Sequence, residues 1–327
     1  MSRAFFGDPS AEALAADDLA IGRLERVILI RSFPGYGELP ADEVAALADR
    51  FVERRYAEGE LLEREHVPVG HVHFVARGRV QLRREGRVLR ELGHHSIVGG
   101  ISALSGDRVG YDVEALEPTV TLRIAVDELL EVFEDNYVLL QSAVRGMSRE
   151  VLNVRRTLMP TGGFSRSTWE PAFPPPKTLD LVERIAALRR SFPLEGTRLE
   201  ALADLARDVE EVRAPPGERL FTVGESPDSV YFIVYGAVRG TSPEGFDLRF
   251  GPGDVVGSMG ASADLPRWYT AEAETELVLL RLHRDGLLDV LEDHHNVAVA
   301  MVRALARSLL DGMNEASRRR AAHTPPA

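Results

Sequence analysis

Gly253-Asp254-Val255-Val256-Gly257-Ser258-Met259-Gly260, followed by Pro266-Arg267-Trp268-Tyr269-Thr270 and closing at Ala273, is the stretch whose reading decides the fold. Glycines and small residues favour a tight turn with exposed backbone N–H groups, and a short helix start presents such groups to an anion. One arginine at a fixed distance adds a cation that can make charge-assisted, often bidentate contacts. The combination suits a loop that holds a phosphate. Its surroundings recur 158 residues upstream, where Gly99 stands in the place of Gly257.

Working outward from that pair, the same shift overlays much of the chain on itself. Leu24-Glu25-Arg26-Val27 matches Val182-Glu183-Arg184-Ile185, Gly59 matches Gly217, and Phe74 to Gly78 matches Phe232 to Gly236. Ala115 falls on Ala273, Asp127 on Asp285 and Glu134-Asp135 on Glu292-Asp293. The period is far too long for a solenoid, so it means two copies of one domain. Each copy reads as two helical segments, then short alternating runs broken by turns, then helices. Helices are expected at about residues 11–31 and 178–190, strands at 61–63, 71–75, 80–84 and 87–92 in the first copy, and at 220–223, 230–234, 237–241 and 247–250 in the second. Gly78 and Gly236 mark strand-to-strand turns with positive φ. Two more strands fall in each of 113–124 and 271–282, and closing helices at 126–158 and 284–316, each broken near its first third. The expected fold class is α+β: two tandem copies of a small antiparallel β-roll, jelly-roll-like, flanked by N- and C-terminal helices. The domains are residues 23–158 and 179–316. An extension precedes them (1–22), a Pro/Gly/Ser-rich linker joins them (159–178), and a basic, disordered tail follows (317–327).

Composition bounds the function. The chain has 327 residues and a formal net charge of −12, which argues against nucleic acid as partner. There is no cysteine, which excludes disulfides, thiolate metal sites and cysteine nucleophiles. No signal peptide and no apolar run of membrane-spanning length is visible, so a cytoplasmic protein without a membrane partner is expected. The dominance of arginine over lysine fits GC-rich coding, hence a high-GC bacterium.

Taken together, these motifs resemble the cyclic nucleotide-binding domain family, over about residues 24–158 and 181–316. The resemblance rests on Pro216-Gly217-Glu218, on Asp228-Ser229-Val230-Tyr231-Phe232-Ile233 leading to Gly236, on Gly253-Asp254, and on Arg267 with Thr270 and Ala273. It implies a phosphate cassette in which backbone N–H groups and one arginine hold the cyclic phosphate and a glutamate accepts from the ribose. In the second copy Arg267 lies ten residues after Gly257, as that pattern asks, and Ser258 stands at the glutamate position. Loss of the carboxylate exchanges a charged hydrogen bond of ~1.5–3 kcal/mol for a neutral one of ~0.5–1.5, roughly a tenfold loss of affinity. The first copy has Gly100 at the glutamate position and Val109 at the arginine position; a one-residue slip would be needed to bring in Arg108. The implied ligand is cAMP or cGMP, with no other cofactor. Its candidate residues are Gly257, Ser258, Met259, Arg267, Trp268, Tyr269 and Thr270 in the second domain, and Gly99, Gly100 and Arg108 in the first. Asp254 is a candidate cap for the turn.

Other constellations are weaker. His71 and His73 share a strand face, as metal-binding histidines of cupins do, and His94-His95 could add to them only if the fold brought them close. Arg155-Arg156-Thr157 reads as the basic last turn of a helix. There is no nucleophile elbow, Walker loop or dinucleotide fingerprint, so an enzyme is not expected. Ala298, Val302, Leu305, Leu309 and Met313 form an apolar stripe expected to pack on its own domain, with a homodimer through that helix as the second reading. Three functions stay open: a regulatory sensor that binds a cyclic nucleotide in the second domain and signals to a partner protein, a ligand-free adaptor or scaffold, and a metal-dependent barrel enzyme.

Overall fold

The computed structural model describes residues 20–33, 36–37, 39–158, 174–191 and 194–323. Domain 1 opens with α1 (Arg23–Ser32) and α2 (Ala41–Arg50). Eight strands follow: β1 (Val52–Tyr56), β2 (Leu61–Glu63), β3 (His71–Arg77), β4 (Val80–Arg84), β5 (Arg87–Leu92), β6 (Ile97–Val98), β7 (Asp112–Ala115) and β8 (Thr119–Ala125). A short helix, α3 (Gly100–Ser105), interrupts them after β6, and α4 (Val126–Asp135) and α5 (Tyr137–Leu158) close the domain. Domain 2 repeats the order: α6 (Leu181–Arg189), α7 (Leu199–Asp208), β9 (Glu210–Ala214), β10 (Arg219–Phe221), β11 (Ser229–Tyr235), β12 (Val238–Thr241), β13 (Asp247–Phe250), β14 (Val255–Val256), α8 (Ser258–Ala263), β15 (Thr270–Ala273), β16 (Leu277–His283), α9 (Arg284–Asp293) and α10 (His295–His323).

Each domain folds its strands into two antiparallel four-stranded sheets, ordered β1-β8-β3-β6 and β2-β7-β4-β5 in the first, with the same order eight strands later in the second. The irregularities repeat too. The register shift between Val75 and Arg77 on β3 returns between Ile233 and Tyr235 on β11. Gly78 and Gly236 take φ of 87° and 96°, as the turn reading required, and a Cβ at Gly236 would lie 2.2 Å from the Glu276 carbonyl. The repeat extends to single hydrogen bonds: Arg26 donates to the Ile21 and Phe51 carbonyls, and Arg184 donates to those of Leu179 and Val209. Strands β1 and β9 escape the sequence reading because they are charged edge strands, VERRY and EEVRA, with weak alternation.

Three elements differ from expectation. The opening helix of domain 2 starts at Leu181 rather than 178, because Asp180 and Glu183 form a capping box. The expected helix at 11–31 is observed from Arg23; its earlier part, the extension before residue 20 and linker residues 159–173 lie outside the described residues. The tail expected to be disordered from 317 is helical through His323, with Glu315 paired to Arg318 and Arg319 one turn on. Residues 324–327 lie outside the described residues.

The apolar stripe of α10 does not stay on its own domain. Helix α10 packs along α5 and over α3 and β5 of domain 1, while α5 packs over α8 of domain 2. The two long helices run parallel. At the start of α5 the Tyr137 hydroxyl donates to the carbonyl of Leu288 on α9, the helix before α10, at 2.9 Å; at the far end Arg319 of α10 donates to the Leu158 carbonyl of α5 at 3.3 Å. The long helices are in close contact where a Cβ on Gly312 would lie 2.6 Å from Val154 Cγ1, and these two positions are 158 apart. Equivalent residues therefore meet on a pseudo-two-fold axis between the lobes. The stripe proposed for a homodimer is occupied by α5 of the same chain. One continuous apolar core runs through the helices of both domains, and Leu310 of α10 joins the roll core of domain 1 beside Val75, Val80 and Val98.

Candidate functional site

Domain 2 builds its cassette between β14 and β15. Asp254 accepts from the Gly251 N–H at 2.8 Å and closes the turn, as expected of a cap. Gly257 takes φ of 82°, after which α8 begins. A Cβ at Gly257 would stand 2.3 Å from Arg267 Nη1, so glycine is needed here for conformation and for close approach.

Arg267 reaches this turn but does not leave it open. Its side chain is 2% exposed. Nη1 donates to the Gly257 carbonyl at 3.1 Å and Nη2 to the Ser229 carbonyl at 2.5 Å. The guanidinium stands over the Phe221 ring, 4.2 Å from its centre, and 3.6 Å from the exposed Asp228 carboxylate. Burial lowers the guanidinium's pKa from its usual range. Tyr269, two residues on, turns into the same interior. It is 4% exposed, packed by Phe221, Phe250 and Trp268, and its hydroxyl accepts from the Gly257 N–H at 3.1 Å. Gly240 on β12 makes room for its ring: a Cβ there would meet Tyr269 Cδ2 at 2.8 Å. The cassette's arginine and the first N–H of its turn are thus both engaged by the chain itself.

The other expected residues go elsewhere. Ser258 and Met259 face the helical side, Ser258 lining a small apolar gap with Val230 and Leu287 and Met259 packing on the main core. Trp268 lies half-buried under Arg156 of domain 1, whose Cζ is 5.9 Å from its ring. The Thr270 hydroxyl accepts from the Val223 N–H at 3.1 Å. Domain 1 also contributes Arg149, which donates to the Ala263 carbonyl at the end of α8 at 3.0 Å.

Burial pushes the Tyr269 hydroxyl up to about 12, against the pull of the Gly257 N–H and of the Arg267 and Arg155 guanidiniums. An unfolded tyrosine titrates near 10, so between about pH 10 and 12 the folded state holds the proton that the unfolded chain has lost. Stability is complete below that window and falls as pH rises through it. Two pH units correspond to ~2.7 kcal/mol. Urea unfolding of Tyr269→Phe should lose about that much less stability than wild type across this window. Equal losses would contradict the placement of the phenol; Tyr36, also raised by burial, titrates in both proteins.

In domain 1 the arrangement departs further. Gly99 (φ 85°) and Gly100 start α3 as their equivalents do, but Arg108 is exposed and does not turn into the cassette. Asp107 turns in instead. Its carboxylate accepts from the Val109 and Gly110 N–H groups at 3.1 and 3.2 Å and pairs with Arg84 at 3.2 Å. The chain's own carboxylate takes the loop's donors. Sequence reasoning missed Asp107, although an aspartate two residues before free N–H groups is the usual Asx-turn signal. The histidines do not converge. His73 sits buried between Glu63 (3.1 Å) and Thr121 (3.3 Å), His71 points its ring 6.3 Å from that of His73, and His95 packs on Phe33. Among the described residues no group of three His, Cys, Asp or Glu side chains is placed to hold a metal.

Comparison with known proteins bears on both domains. Residues 53–136 and 211–294, two segments 158 apart, each match the family model described as "Cyclic nucleotide-binding domain". The chain is 29% identical over 127 residues to a CRP-like cAMP-activated global transcriptional regulator of Mycobacterium tuberculosis, covering 37% of this chain and 57% of that protein. It thus spans little more than half the length of that relative. Among solved structures, the N-terminal domain of a transcriptional regulator from Streptomyces coelicolor A3(2) is 33% identical, covering 40% of this chain and 94% of its own, with a TM-score of 0.35. The regulatory domain of Toxoplasma gondii PKA with cAMP is 14% identical, covering 84% and 97%, with a TM-score of 0.34. Among the described residues no helix is long and apolar enough to cross a membrane.

Proposed function

The chain belongs to the cyclic nucleotide-binding domain family, and from that membership we propose that it is a regulatory protein whose domain 2 cassette is held shut by its own side chains. Under this reading it does not respond to cAMP or cGMP there, and it acts on a partner protein through the lobe surfaces that the α5/α10 pair holds in place. The observation that carries the reading is the double engagement of Gly257, by Arg267 at its carbonyl and Tyr269 at its N–H. A nucleotide would have to displace a buried phenol and two carbonyl bonds to the guanidinium before it met the cassette. Each such bond to a charged group is worth ~1.5–3 kcal/mol, and ~1.4 kcal/mol is a decade of affinity. Domain 1 offers no substitute, since Arg108 faces solvent and Asp107 repels an anion from its turn.

The competing reading is a cyclic-nucleotide sensor in domain 2, with Arg267 exchanging carbonyls for phosphate. It draws on the retained spacing of Gly257 and Arg267, and on the M. tuberculosis relative, whose name describes it as cAMP-activated. Calorimetric titration of the full chain with cAMP and with cGMP separates the two. No saturable heat is expected up to about millimolar ligand, because displacement of both occupants costs several decades of affinity. One-site binding at micromolar ligand, abolished in Arg267→Ala protein that remains folded by circular dichroism, would overturn the closed-cassette reading.

A further inference from the structure

One layer inside the domain 1 roll is polar where that of domain 2 is apolar. His73 on β3 is 1% exposed. Its Nε2 lies 3.1 Å from the Glu63 carboxylate on β2, and its Nδ1 lies 3.3 Å from the Thr121 hydroxyl on β8. The Tyr56 ring on β1 stands edge-on at 6.1 Å and the His71 ring at 6.3 Å. Arg123 on β8 is the cross-strand partner of His73. At the positions of His73, Glu63, Thr121 and Tyr56, domain 2 places Tyr231, Phe221, Leu279 and Ala214, all in its roll core, and Ser229 replaces His71. A carboxylate can only accept, so His73 Nε2 holds a proton, and the Thr121 hydroxyl can either donate to Nδ1 or accept from it. His73 therefore keeps both hydrogen bonds with or without a second ring proton. His71 is placed differently. Burial, the Arg123 guanidinium and His73 hold its pKa below the usual histidine range, against the pull of Glu63 and of Glu128 on α4.

We propose that this layer makes domain 1 the acid-sensitive half of the chain: a proton taken up by His71, beside the Arg123 guanidinium and His73, loosens the first β-roll and leaves the second as it was. An unfolded histidine titrates near 6.5. The folded chain binds the His71 proton only at lower pH, so below about 6.5 the unfolded chain holds more protons. The stability that neutral His71 contributes is complete above that value and is lost as pH falls through the folded pKa. The charged and titratable groups around it are His73 on its own strand, Arg123 on β8, Glu63 on β2 and Glu128 on α4, with Tyr56 of β1 against His73. The two carboxylates weaken the repulsion without reversing it. At the α9–α10 break the histidines face carboxylates rather than a cation: His294 lies 3.2 Å from Asp204 and His295 4.0 Å from Glu134. Loosening of β3 reaches the other lobe through α10, because Val75, on the same strand face as His73, shares the roll core with Leu310. The inference does not depend on whether either cassette binds a nucleotide.

NMR titration of the histidine Cε1–H signals in the full-length chain, assigned from triple-resonance spectra, reads the proton directly. The His71 midpoint should lie below that of an unfolded histidine, and Arg123→Gln should raise it by removing a neighbouring cation. Hydrogen–deuterium exchange of the same chain, corrected for the intrinsic effect of pH on exchange, reads the consequence. Between about pH 7.5 and about pH 5 the opening of β3 and β8 should rise at least about threefold, and that of β11 and β16 should change less. His71→Ser, which installs the residue found in domain 2, should remove most of the difference between the lobes. The midpoint is measured in the unaltered chain, so the proposal stays testable even if a variant fails to fold. A His71 midpoint at or above the unfolded value, an equal response of the two lobes, or a response of β3 and β8 that survives His71→Ser would each overturn it.

Discussion

Arg267→Ala is expected to destabilise domain 2 by about 3 kcal/mol, as lost buried hydrogen bonds and a lost cation–π contact outweigh the relief of desolvation. An arginine waiting for a ligand would behave differently. It would be exposed or poorly partnered in the free protein, and its removal would cost affinity and leave stability alone. Here the guanidinium bonds the Gly257 and Ser229 carbonyls and covers Phe221. Its removal takes away both side-chain bonds, although the Gly257 carbonyl keeps the Ala261 N–H, and opens a gap beside the ring. Arg267→Lys should recover little, since one ammonium cannot span two carbonyls in a fixed fork. Urea unfolding monitored by Trp268 fluorescence reads the effect. A change below about 0.5 kcal/mol, the size usual for surface substitutions, would show that the arginine is not structural.

Gly312→Val is expected to cost about 2 kcal/mol by forcing α5 and α10 apart, because overpacking at a close contact costs ~1–3 kcal/mol. The new Cβ would stand 2.6 Å from Val154 Cγ1, with Leu158 Cδ1 at 3.9 Å behind it. Since the two positions are equivalent in the repeat, the exchanged pair Val154→Gly with Gly312→Val should restore the contact from the other side. The two single costs should then exceed the cost of the pair by at least about 1 kcal/mol, the coupling expected of residues in direct contact. Strict additivity would mean that the helices do not meet at these residues.

Most of the fold was legible because it is written twice. Glycines at turns and the apolar alternation of inner strands recur at one offset, so a weak signal in either copy supports the other. What stayed hidden is what a linear pattern does not encode. The stripe Ala298, Val302, Leu305, Leu309 and Met313 shows that α10 is amphipathic, but its partner, α5 of the other lobe, is chosen by long-range packing. The candidate site was legible in part. Spacing alone placed Arg267 against Gly257. That Tyr269 would fill the same interior follows only once Gly240 is seen to vacate the space for it. Ser258 and Thr270 matched a motif by position, yet Ser258 lines the gap on the helical side and the Thr270 hydroxyl accepts from the Val223 N–H.

The meeting of Val154 with Gly312 has a consequence for how the molecule can exist in a cell. Two separate chains paired by such helices would dissociate on dilution, and their pairing would follow mass action. Here both halves share one backbone, so association is intramolecular and independent of expression level. Two identical chains would also have to present the same side chain on both sides of the axis: valine against valine, or glycine against glycine. One chain can set a large residue against a small one, and it can alter the interior of one half while leaving the other as it was.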